Sequence, residues 1–156
     1  MAADLDPALV PELLVTDLDA SLAFWVQLCG FTVRYARPDE GFASLTLGAA
    51  HVMLDQSGTG RDWITGPLEH PLGRGINLQI TVPDASTIAA RLERAGVTLF
   101  MQLETKWYRV GDEEAGVRQF CVTDPDGYLL RFASSVGRRP AVQEPAPTET
   151  TISRPA

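Results

Sequence analysis

The chain matches itself once along its length, and this repeat limits its possible folds more than any single motif does. Val15-Thr-Asp17 aligns with Val82-Pro-Asp84, and Gly30-Phe-Thr-Val33 aligns with Gly96-Val-Thr-Leu99, at offsets that agree within one residue. In each copy a short apolar strand runs into a capping Asp, a helix follows, a Gly stops it, and further strands come after. In the first copy, residues 9–15 read as a strand in which Pro11 favours an edge or strand-start position. Leu18, Leu22, Trp25, Val26 and Cys29 then recur at helical spacing, and Gly30 ends that helix. Strands are expected over 31–36, 42–47 and 51–54. In the second copy, strands are expected over 76–82, 97–101, 106–110, 116–122 and 127–133, with a helix between Asp84 and Gly96. The pattern predicts an α+β protein of two βαβββ modules.

The modules occupy about 9–55 and 76–135 and are joined by a Gly- and Pro-punctuated connection over 56–75. A connection this long inside a small domain is usually functional or a linker. Residues 1–137 are expected to form one domain. The tail over 138–156 is Pro-rich and polar, too poor in apolar residues to pack, and is expected to be disordered.

Asp124-Pro125-Asp126-Gly127 carries the turn chemistry of a hairpin: Pro presets φ, Asp accepts from nearby N–H groups, and Gly takes positive φ at no steric cost. In the strand after it, Tyr128, Leu130 and Phe132 share one face, and Leu129 and Arg131 share the other. An arginine among strand-forming hydrophobes needs a partner or a ligand.

A net charge of −7 argues against nucleic acid, because phosphate binding requires a basic face. No apolar run reaches membrane-spanning length and no basic-then-hydrophobic leader opens the chain, so a soluble, cytoplasmic protein is expected. Cys29 and Cys121 lie in apolar surroundings without paired spacing and read as buried free thiols.

Val15-Thr-Asp-Leu-Asp-Ala-Ser-Leu-Ala-Phe-Trp25, Leu28-Cys-Gly-Phe31, Val117-Arg-Gln-Phe120 and Asp124-Pro-Asp-Gly-Tyr128 together make the chain resemble the glyoxalase/bleomycin-resistance group, the vicinal oxygen chelate superfamily. The resemblance implies that each module curls its mixed sheet into half of a cup, and that enzymes of the group hold a metal at four inward strand positions. Those positions fall here on Val10, Leu54, Asn77 and Arg131. Arginine keeps its charge and repels a cation, so no metal cofactor is expected. A one-residue slip would replace Leu54 with Asp55. Glu12 shares the face of Val10, which leaves Glu12, Asp55 and Asn77 as a fallback set for a divalent metal ion.

Without a metal, Asn77, Gln79 and Arg131 give the cup a polar lining. Arg131 either contacts a ligand or pairs internally with Glu12 or Asp55. Bleomycin-resistance proteins, which the chain resembles, are homodimers that hold a flat cationic glycopeptide between aromatic and acidic residues. On that resemblance Trp63, Trp107, Tyr108 and Glu104 are candidate ligand contacts, while packing is the alternative for each tryptophan. His51 reads as a surface or packing residue, and His70 lies in the connection near a pocket mouth. No nucleophile motif, phosphate loop or zinc spacing occurs.

The expected function is thus metal-free capture of a planar or cationic small molecule, such as a bleomycin-like drug, by a homodimer that contacts neither nucleic acid nor membrane. The alternatives are a metal-dependent lyase, isomerase or dioxygenase of the same superfamily, and a dimeric module with no small ligand.

Overall fold

The computed structural model describes residues 7–60 and 63–142. The first module runs β1 (Glu12–Val15), α1 (Leu18–Leu22), a π-helical turn over Ala23–Leu28, β2 (Thr32–Arg37), β3 (Phe42–Leu47) and β4 (Ala50–Gln56). The second runs β5 (Asn77–Thr81), α2 (Ala85–Arg94), β6 (Met101–Val110), β7 (Glu113–Thr123) and β8 (Leu129–Pro140). Each module forms one four-stranded mixed sheet, in the orders β1-β4-β3-β2 and β5-β8-β7-β6. The first strand of each pairs in parallel with the last, and the other pairings are antiparallel. The connection between the two parallel strands of each module runs through the helix and the two intervening strands. The expected α+β class and the repeat are both present. Pro11 precedes β1, which is an edge strand, as its lack of an N–H demands.

The repeat extends to the caps. Asp17 and Asp84 are both extended and each accepts from a helix N–H through its side chain, Asp17 from Ala20 at 3.0 Å and Asp84 from Ser86 at 2.9 Å. The first helix differs in widening midway, where the Cys29 N–H reaches back to Phe24 O at 3.0 Å.

The sheets and helices share one core. Leu13, Val15, Ala43, Leu45, Val52 and Leu54 from the first sheet meet Phe24, Trp25, Ile88 and Leu92 from the helices and Ile80, Phe120, Val122, Leu130 and Phe132 from the second sheet. Trp25 packs edge-on against Phe31 at 5.1 Å, and Phe120 stacks on Phe132 at 5.3 Å. Cys29 and Cys121 are free and buried. Among the described residues no helix is long and apolar enough to cross a membrane.

The Asp124–Gly127 turn joins β7 to β8 as its composition predicts, with Gly127 at φ 91°. A Cβ on Gly127 would stand 2.6 Å from the Pro71 Cα, so the glycine also lets the connection pack onto the turn. Leu72 N–H fastens it there by donating to Asp126 O at 2.9 Å.

Several boundaries differ from expectation; β1 begins at Glu12 and not at residue 9, and β7 begins at Glu113 and not at residue 116. Residues 97–99 form no strand, because Val97 N–H closes the end of α2 on Leu92 O at 3.0 Å and Leu99 drops into the core. The strands expected over 97–101 and 106–110 become the single strand β6. Residues 138–140, expected to open a disordered tail, belong instead to β8, which continues to Pro140. Arg138–Glu113 and Arg139–Glu114 ion pairs at 3.0 and 2.6 Å hold that extension, and Arg139 lies 4.1 Å over the Trp107 ring. The remaining tail, from 143, is outside the described residues.

Candidate functional site

Alternation along the first sheet sends Leu13, Val15, Ala43 and Leu54 into the core and leaves the other face to the residues between them. Strand register places Glu12 beside Met53, Met53 beside Ser44 and Ser44 beside Tyr35. One row over, Asp55 stands beside Phe42 and Phe42 beside Arg37. With Glu40 and, from the connection, Thr59, Gly60 and Trp63, these rows line a cleft of about 400 Å³. Leu54, expected to face inward, is fully buried on the core side. Asp55 takes the cleft-facing position, because the pleat assigns adjacent residues to opposite faces.

Local chemistry shapes the rim. Pro38–Glu40 forms a 3-10 turn closed by Gly41 at φ 67°. Thr59 Oγ1 spans the turn and the connection, donating within reach of Glu40 O at 3.0 Å and Gln56 O at 2.6 Å. A Cβ on Gly41 would come within 2.8 Å of that hydroxyl, so glycine is required for the close approach as well as for the backbone angle. Tyr35 and Phe42 stack with centroids 5.9 Å apart, and Arg37 lays its guanidinium 3.8 Å over the Phe42 ring while Nε donates to Glu40 Oε2 at 2.5 Å.

The cleft floor carries two neighbouring carboxylates, Glu12 and Asp55. Burial raises the Glu12 carboxyl above its ordinary range, and the charge and hydrogen bonding of Asp55 raise it further; Arg37 opposes both. Two adjacent carboxylates favour an incoming cation.

The second sheet presents a separate polar face. Gln79, Arg131 and Cys121 stand in one row across β5, β8 and β7. Arg131 Nη2 donates to Gln79 Oε1, while Arg131 Nε is buried without a hydrogen-bond partner among the described residues. Gln119, only 3 % exposed, donates from Nε2 to Glu104 Oε1 at 3.0 Å and to Tyr108 Oη at 2.6 Å. Asn77 is exposed near the start of β5. Trp107 faces the other side of β6, over Gly116, where a Cβ would strike its ring at 2.8 Å. It packs there instead of joining Tyr108 and Glu104.

The predicted site residues therefore divide. Glu12, Asp55 and Trp63 come together in the cleft; Asn77, Gln79, Arg131, Glu104 and Tyr108 belong to the second sheet, and none of them lines it. Among the described residues Arg131 does not pair internally with Glu12 or Asp55; its guanidinium donates to Gln79 instead. His70 lines a smaller hollow of about 190 Å³ with Thr16, Ser57 and Asp126. Sequence reasoning missed Tyr35, Arg37, Glu40 and Phe42. The alternation of Tyr35 with Arg37 along one strand was the available signal.

Comparison with known proteins agrees with this architecture. The profile of the Glyoxalase/Bleomycin resistance protein/Dioxygenase superfamily matches residues 8–132. A glyoxalase/bleomycin resistance protein/dioxygenase superfamily member from Vibrio splendidus 12B01 is 40% identical over 81% of this chain and 97% of its own, with a TM-score of 0.39. TioX from Micromonospora sp. ML1 is 24% identical over 84% of this chain and 100% of its own, with a TM-score of 0.64. A virulence protein from Salmonella typhimurium is 17% identical over 85% and 98%, with a TM-score of 0.60. No curated protein matches. The chain belongs to the Glyoxalase/Bleomycin resistance protein/Dioxygenase superfamily.

The four positions that the resemblance assigns to a metal carry Val10, Leu54, Asn77 and Arg131, which supply no carboxylate, imidazole or thiolate. Among the described residues no group of three or more His, Cys, Asp or Glu side chains could hold an ion. Glu12 and Asp55 supply two carboxylates, and the remaining positions carry an amide and a guanidinium on the other sheet.

Proposed function

We propose that this superfamily member is a small-molecule binding protein that captures a flat, cationic ligand in the first-sheet cleft. The observation that carries the reading is the pairing of Glu12 and Asp55 on the floor of an approximately 400 Å³ cleft walled by Tyr35, Phe42 and Trp63. Carboxylates attract the charge, and the aromatic faces stack on the plane at small entropic cost. The volume falls within the range of pockets that enclose drug-sized ligands.

The reading extends to a homodimer without a metal cofactor. Each protomer exposes two polar sheet faces, an acidic one around Glu12 and Asp55 and one bearing Arg131 and Gln79. A second copy would cover one with the other and enclose the ligand. Bleomycin-type drugs, which combine planar heterocycles with cationic groups, are the ligand class this predicts. Calorimetric titration of the full chain with metal-free bleomycin tests the drug assignment. Saturable heat at or below millimolar concentration, lost in Asp55→Asn, supports it. No heat at near-millimolar drug defeats it.

A further inference from the structure

The cleft already contains a flat cation. The Arg37 guanidinium lies 3.8 Å over the Phe42 ring, on the wall that Tyr35 extends by stacking on the same phenylalanine. Glu40 holds its Nε at 2.5 Å, and its charge acts on both Glu12 and Asp55 across the floor. Arg37 ends β2, an edge strand, so no further strand covers it, and its side chain and that of Glu40 are 47% and 63% exposed. Ion pairs this exposed contribute little, because water competes for both partners and two long side chains must be ordered. The stack is therefore easily displaced.

We propose that Arg37 is a built-in occupant of the cleft, a surrogate that an incoming planar cation must displace from Phe42, and that the site selects guanidinium and amidinium groups over ammonium groups. This rests on the cleft being the binding site. The geometry that suits Arg37 is a delocalised plane against a ring face, with the Glu40 carboxylate accepting an N–H at its edge and the charges of Glu12 and Asp55 further off. An ammonium has the charge without the plane, so it satisfies the carboxylates and forgoes the stack. Displacement also releases Arg37 from Phe42 while leaving it near Glu40, which keeps the freed charge paired at the rim.

The test uses benzamidine and benzylamine, matched in ring and charge, titrated into the full chain and into Arg37→Met and Arg37→Lys by calorimetry. The proposal expects Arg37→Met to bind benzamidine about tenfold more tightly than the parent. It also expects Arg37→Met to prefer benzamidine to benzylamine, and Arg37→Lys to show a partial gain because it keeps the charge and loses the plane. A gain in Arg37→Met with none in Arg37→Lys would assign the effect to charge repulsion and overturn the occupancy. Equal or weaker binding in Arg37→Met would overturn it while leaving the cleft as a binding site. Failure of every variant to bind either probe would remove both the cleft reading and the inference built on it. Arg37→Gln serves where Arg37→Met fails to fold, with the same expectation.

Discussion

Trp25 Nε1 donates to Asp124 Oδ2 at 3.2 Å, tying the helix of the first module to the turn of the second inside the shared core. Asp124 Oδ1 accepts from the Asp126 and Tyr128 N–H groups at 3.0 and 2.9 Å, and Asp126 in turn holds Thr16 at the end of β1. The turn residues thus make the hairpin and also join the modules.

Burial pushes the Asp124 carboxyl up to about 6, against the lowering effect of its bonds from Tyr128 and Trp25. The folded state then holds the proton more tightly than the unfolded state does. This contribution is complete below the unfolded value of about 4 and is lost as pH rises through about 6, a change of roughly 3 kcal/mol. Urea melts between pH 4 and 7 check it. The stability of Asp124→Asn should fall less steeply with pH than that of the parent, and parallel slopes would contradict the assignment.

The pleat of β4 makes a sharper structural prediction. Leu54→Ala should cost about 2–5 kcal/mol, because it leaves a cavity in the core. Asp55→Ala should stay within about 1 kcal/mol of the parent, since it relieves a crowded carboxylate pair. Thermal melts that reversed this order would show the strand to be one residue out of register.

Cation affinity should depend on pH through Glu12. Its carboxyl is raised above the ordinary range by burial and by Asp55, so protonation removes negative charge from the cleft at a higher pH than an isolated glutamate would. Affinity for benzamidine is expected to rise with pH through that titration. In Glu12→Gln the rise should shrink and move to lower pH, which titrations at several pH values would detect.

Ligand capture should be independent of metal. Dialysis against a chelator is expected to leave bleomycin or benzamidine affinity within about twofold, given a donor set of two carboxylates. Elemental analysis showing one tightly held Zn, Ni, Mn or Fe per chain, with binding lost on chelation, would favour the metal-dependent enzymes of the superfamily instead.

Much of the fold was legible because the repeat, the two capping Asp residues and the helix-ending glycines each have a local physical cause. The hairpin at 124–127 was legible for the same reason. The start of β6 was not, since Val97 and Leu99 have the composition of a strand and only tertiary packing diverts them. Nor was the reach of β8, which depends on Arg138 and Arg139 finding Glu113 and Glu114 on the neighbouring strand. Within the site, Glu12 and Asp55 could be picked out from their charge in an apolar strand. Which face Asp55 takes depends on a one-residue register that composition leaves open. Arg131 drew attention as an isolated charge, yet its partner is the neutral Gln79 across the parallel pair.

The central claim is that the first-sheet cleft is where a flat cation binds, and residue-resolved NMR titration of the isotope-labelled full chain with benzamidine tests it most directly. The account predicts saturable shifts concentrated at Glu12, Tyr35, Phe42, Met53 and Asp55, with the second-sheet residues Gln79 and Arg131 moving less. Shifts centred on Gln79, Arg131 and Gln119 with the first-sheet cleft silent, or no saturable shift anywhere, would contradict it.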